Sequence, residues 1–74
     1  MTKFEYCNLS IAFQTNIVRV VFPNGETKDT TSENLMNSIN DLGKEEWELV
    51  SVIYFDMGGT FYFKRETKTT YKDI

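Results

Sequence analysis

The stretch LGKEEWELVSV, residues 42–52, sets the chain's one tryptophan among glutamates and then runs at once into an apolar segment. Gly43 stands where a left-handed helix cap is wanted, because glycine takes positive φ without steric cost. The next segment, WELVSVIYF, is rich in β-branched and aromatic residues and short for a second helix, so it reads as a strand. Strict alternation puts Trp47, Leu49, Ser51, Ile53 and Phe55 on one face and Glu48, Val50, Val52 and Tyr54 on the other. Both faces are largely apolar. A two-layer domain buries only one face of such a strand, so a helix is expected over one side and a second subunit or a ligand over the other.

Upstream of this stretch, Leu35, Met36, Ile39 and Leu42 recur at helical spacing and predict a helix over about residues 32–42. Thr30 with Glu33 can form a capping box, and Ser32 is a rival cap. Downstream, Asp56 to Gly59 reads as a hairpin turn using positive-φ glycines, leading into the antiparallel strand TFYFKRET. At the start, KFEYCNLSIAF reads as a strand, Gln14–Thr15–Asn16 as a turn, and IVRVVF as the next strand. Pro23-Asn24-Gly25 closes that strand, and residues 26–29 can pair back briefly. The expected fold class is α+β, a small antiparallel sheet with one helix on one face, in the order β-β-α-β-β. The polar tail, about residues 67–74, is expected to fray.

The sequence has 74 residues, one cysteine, no histidine and a net charge of -3. That length fits a single domain, residues 1–74, whose core supplies roughly 3–5 kcal/mol unless something staples it. Cys7 alone excludes an internal disulfide, and a histidine-free chain makes a poor zinc site. Self-association is the staple that remains. The acidic balance argues against nucleic acid, which attracts basic patches. MTKFEYCNLS has no apolar core of signal-peptide length, no stretch reaches membrane-span length, and the expected location is cytoplasmic.

One resemblance rests on longer strings. Phe4-Glu5-Tyr6, Leu42-Gly43, Glu45, Trp47-Glu48-Leu49-Val50 and Phe63-Lys64-Arg65 resemble the pattern of a family of very small bacterial and phage proteins, domain of unknown function 4177. That pattern has a first strand like YEY, a helix ending in leucine-glycine, then a strand opening in glutamate-glycine-tryptophan-glutamate-leucine-valine. Two departures stand out: Glu46 replaces the family's glycine, and the hairpin around Pro23 is longer. The resemblance implies the fold and no particular activity. The lysine-, asparagine- and threonine-rich composition suits a low-GC bacterial host or its phage.

The candidate chemistry is sparse. Cys7 lacks a base to make it a thiolate and shares an apolar face with Leu9, Ile11 and Phe13, which makes it a packed thiol. Glu45, Glu46 and Glu48 read as a solvated loop, with Glu48 able to pair across the sheet with Lys64 or Arg65. Trp47 is the best anchor, either as a plug between helix and sheet or as a binding residue. Gly58-Gly59 is a weak candidate for an anion nest. Phe61 and Phe63 share a face as core, although Phe61 to Arg65 interleaves aromatic and basic residues as single-strand nucleic-acid platforms do.

No catalytic residue, metal site or cofactor is expected. The leading expectation is a non-enzymatic protein-interaction or regulatory module acting as a homo-oligomer through its sheet, with itself and another protein as partners and neither nucleic acid nor membrane. The alternative is a phage-type small-ligand binding or sequestering protein with pockets at subunit interfaces. There Trp47, Tyr54 and Tyr62 with Arg19, Lys64 and Arg65 would hold a planar, nucleotide-like anion.

Overall fold

The computed structural model describes residues 3–67, so most of the expected polar tail lies outside the described residues. The chain forms β1 (Phe4–Ala12), β2 (Ile17–Val21), β3 (Thr27–Thr31), a 3-10 turn (Ser32–Asn34), α1 (Leu35–Lys44), β4 (Glu48–Phe55) and β5 (Gly58–Glu66). All pairings are antiparallel, and the five strands lie in the order β3-β2-β1-β5-β4. The fold is α+β, a small antiparallel sheet with one helix. The element order is β-β-β-α-β-β, with the helix between β3 and β4. The short return expected at residues 26–29 is a full strand, paired with β2 from Ile17–Thr31 to Val21–Thr27.

Alternation builds the core on one face. Cys7, Leu9 and Ile11 from β1, Val18 and Val20 from β2, and Phe61 and Phe63 from β5 are buried together with Leu42 and Trp47. Leu35 and Ile39 of the helix pack against them. Each fully buried aliphatic or phenyl side chain here contributes about 1.5–3 kcal/mol. Phe13, expected on this face, lies past the end of β1 and is exposed. Met36 is also exposed, so the apolar stripe of the helix is Leu35, Ile39 and Leu42.

Strict alternation fails in β4. The register against β5 shifts between Leu49 and Ser51, leaving Val50 as the extra residue of a bulge. Leu49 lies opposite Phe63 and Val52 opposite Phe61, so both face the helix side. Glu48, Ser51, Ile53 and Phe55 face the other way, opposite Lys64, Tyr62, Thr60 and Gly58. The face shared by Trp47, Leu49, Ser51, Ile53 and Phe55 under strict alternation is therefore split in two.

The helix ends differently from the sequence expectation. Gly43 stays helical, and the left-handed residue is Glu46, at φ 72°. The Trp47 amide donates to the Leu42 carbonyl and the Glu46 amide to the Gly43 carbonyl, both at 3.0 Å. These are the two bonds of a Schellman motif, with Trp47 meeting Leu42 as its hydrophobic contact. At the other end neither Thr30 nor Ser32 caps the helix. Asn34 precedes it without a side-chain cap and donates to Thr30 Oγ1 at 3.1 Å, while Ser32 bonds Asn16.

The β4–β5 turn consists of Asp56 and Met57, and both glycines belong to β5 without positive φ. Glycine is required at 58 for space. A Cβ there would sit 2.0 Å from the Ile11 carbonyl oxygen. That buried, strand-paired backbone removes the anion nest considered for Gly58-Gly59.

Candidate functional site

Trp47, Arg65 and Glu5 form one node beside the end of α1. The Schellman turn swings Trp47 under the helix, where it is 5% exposed. The Arg65 guanidinium lies over the ring, 4.3 Å from its centre. Its Nε donates to Glu5 Oε2 at 2.7 Å, and its Nη1 donates to the Glu45 carbonyl at 2.9 Å. The stacking face and much of the donor fork are thus engaged within the fold. Trp47 is the plug of the two readings considered for it.

The remaining ligand candidates do not converge. Strand parity places Arg19, Tyr62 and Lys64 on the helix-free face and Arg65 on the helix face. Arg19 is held in a fork by Asp29, with Nε–Oδ1 at 2.8 Å and Nη2–Oδ2 at 2.9 Å. This pairing holds the Asp29 carboxyl below, and the Arg19 guanidinium above, its ordinary pKa. Glu48 lies opposite Lys64 in register, but the ammonium sits 4.8 Å over the Phe4 ring. A single planar anion cannot touch Arg19 and Arg65 through the sheet, so the proposed six-residue cluster is not assembled within one chain.

The surface these residues leave open is β4, at one edge of the sheet. Apart from half-buried Val52, every residue of the strand is exposed, including Ile53 at 43%, Tyr54 at 67% and Phe55 at 61%. Tyr54 stands edge-on to Phe61, with ring centres 6.1 Å apart. From Leu49 to Phe55 the strand carries no charge. The segment itself has no lysine or proline, and among the described residues no chain covers it; its protection is the bulge at Val50.

On the opposite side of the molecule a groove of about 320 Å³ opens between α1 and the β2–β3 hairpin. Val20, Phe22 and Leu42 line it, with the ionic side chains of Lys28, Asp41, Lys44 and Glu45. It exists because β3 presents Lys28 and Thr30 opposite Val20 and Val18, where apolar side chains would have filled the gap.

Cys7 is buried, and desolvation pushes its thiol up to about 11, outweighing the lowering by Arg65. Among the described residues, no group of three or more His, Cys, Asp or Glu side chains is placed to hold a metal ion. Among them, too, no helix is long and apolar enough to cross a membrane.

Sequence alone put Ile53 and Phe55 on an apolar face of the strand without naming them as site residues, and it did not single out the groove residues Lys28 and Asp41. The uncharged run 49–55 carried the signal for the first pair. The groove had no local signal, since it depends on where β3 pairs. No family model matches the chain, and no curated protein or solved structure is found similar to it.

Proposed function

We propose that the protein is a non-enzymatic interaction module that works as a homo-oligomer assembled through its sheet. The observation that carries this reading is the uncharged, exposed edge strand β4. Among the described residues no strand pairs with the outer edge of β4, and its backbone donors and acceptors, flanked by Ile53, Tyr54 and Phe55, are a template for strand addition. The non-enzymatic part is supported by Cys7, whose thiol is held protonated in the core. Native mass spectrometry at micromolar concentration tests the reading: a homo-oligomer is expected, and a monomer overturns it.

The groove favours a second reading, a small-ligand binding or sequestering protein. Its volume lies at the lower end of the range for ligand sites, and its apolar lining, rimmed by Lys28 and Lys44 and by Asp41 and Glu45, suits a small molecule with an apolar body and polar groups of both signs. Protein purified from its native cells would then carry extra mass that is released on denaturation. A bare chain in both states counts against this reading.

A further inference from the structure

We propose that the occupant of the β4 edge is a second copy of the same strand, antiparallel, about a two-fold axis passing at Ile53. This rests on the homo-oligomer reading and adds to it the strand, the direction and the register.

The bulge narrows the choice. Regular strand resumes at Ser51 and ends at the Asp56–Met57 turn, so Ser51–Phe55 is the segment free to add another strand. An axis at Ile53 uses this segment from end to end. Ser51 then meets Phe55 of the second copy, Val52 meets Tyr54, and Ile53 meets itself. Val52 and Tyr54 then form an aromatic–β-branched pair, a type that cross-strand packing favours, and Ser51 leaves room for the Phe55 ring. An axis at Val52 runs the pairing into the bulge at Val50. An axis at Tyr54 brings Val52 opposite Asp56 in the turn, where strand pairing ends.

Backbone direction agrees with the same register. Phe55 pairs with Gly58 across the turn, and such a turn carries a hydrogen bond between its end residues. Counting back in alternate pairs, Phe55, Ile53 and Ser51 direct their amides and carbonyls at β5, while Tyr54 and Val52 direct theirs outward. Val52 and Tyr54 are the residues that must exchange hydrogen bonds with the second copy when Ile53 lies on the axis. Ile53 then forms a non-hydrogen-bonded pair with itself, where the side chains come closest.

The area is of the right order. At their exposures Tyr54 and Phe55 each leave roughly 100–150 Å² in water. With the flanking Leu49 and Val50 and with Ile53 added, two copies expose on the order of 1,000 Å² of apolar edge, an upper limit on what pairing covers that reaches the lower bound for a specific interface. Antiparallel pairing also keeps the two Glu48 carboxylates at opposite ends of the contact.

The test is site-specific disulfide formation in the full chain, since buried Cys7 leaves the wild type as an unreactive control. Ile53→Cys should cross-link to a covalent dimer under mild oxidation. Ser51→Cys and Phe55→Cys should each stay uncross-linked alone, and the double variant should cross-link. Ile53→Lys, which sets two ammonium groups on the axis, should weaken self-association roughly tenfold or more with an unchanged circular dichroism spectrum. Wild type that is oligomeric by native mass spectrometry but cross-links best at Ser51 or nowhere along β4 overturns this register and leaves the homo-oligomer reading standing. A monomeric wild type removes both.

Discussion

The Arg65 guanidinium lies 4.3 Å over the centre of the Trp47 ring while its Nε donates to Glu5 at 2.7 Å. Arg65 therefore ties β5 to β1 and to the loop after the helix with one side chain. Arg65→Ala should destabilise the fold by about 1–3 kcal/mol, combining the lost stack, ion pair and covered apolar surface. Arg65→Lys keeps the charge but loses the planar fork and should cost about 1 kcal/mol. Urea denaturation of the two variants measures both. Equal losses would mean that charge alone matters.

Glu46 is held at φ 72°, a conformation that costs a side-chain-bearing residue about 1–2 kcal/mol. Glu46→Gly relieves this at a smaller cost in chain entropy. A gain of about 0.5–1 kcal/mol is expected in thermal melts, which is about 2–8 °C for a domain of this size. A lower melting temperature would show that the side-chain interactions of Glu46 outweigh its backbone.

Two other glycines should respond with opposite signs. Gly43 is helical with nothing within 4 Å of an added Cβ, so Gly43→Ala should stabilise by about 0.5–1 kcal/mol. At Gly58 the Cβ would meet the Ile11 carbonyl oxygen at 2.0 Å, and backbone must move. Gly58→Ala should cost about 1–3 kcal/mol by the same denaturant assay. Similar effects at both sites would contradict the close β1–β5 approach.

Cys7 ties stability to alkaline pH. Its thiol ordinarily titrates near 9 and is pushed up to about 11 in the fold, mainly by desolvation. Above pH 9 the unfolded chain loses this proton while the folded chain keeps it, so stability falls as pH rises. The contribution is fully present below pH 9 and is lost by about pH 11. A loss on the order of 2 kcal/mol is expected. Other groups titrate in this window, so the measurement is the difference between wild type and Cys7→Ala, which should lack that part of the slope.

The fold class was legible because its signals are local. Leu35, Ile39 and Leu42 recur at helical spacing, while the β1, β2 and β5 runs alternate or are β-rich. The extent of β3 was not legible, because TKDTT has no apolar alternation. Its place comes from pairing with β2 and from the Arg19–Asp29 fork. The Val50 bulge escaped because β4 is apolar in either parity, so shifting it leaves the pattern unchanged. The left-handed residue moved from Gly43 to Glu46 because docking Trp47 beneath Leu42 decides where the helix stops. Of the candidate site, Trp47 could be read as an anchor from its neighbours. Its partner Arg65 and the separation of Arg19 from Arg65 depend on strand order, which no short window of sequence contains.

The position of β1 between β2 and β5 has a kinetic consequence. Three strands and a helix separate β1 from β5 in sequence, yet their pairing, from Phe4–Glu66 to Ala12–Gly58, is the central seam of the sheet. The hairpins β1–β2, β2–β3 and β4–β5 can each form from neighbouring residues, whereas the seam must wait for two halves of the chain to meet. Folding is therefore limited by loop closure, on a timescale of roughly milliseconds to seconds rather than microseconds. Substitutions along the seam, at Leu9 or Phe63, change the rate of refolding, while substitutions in the β2–β3 hairpin mainly change the rate of unfolding.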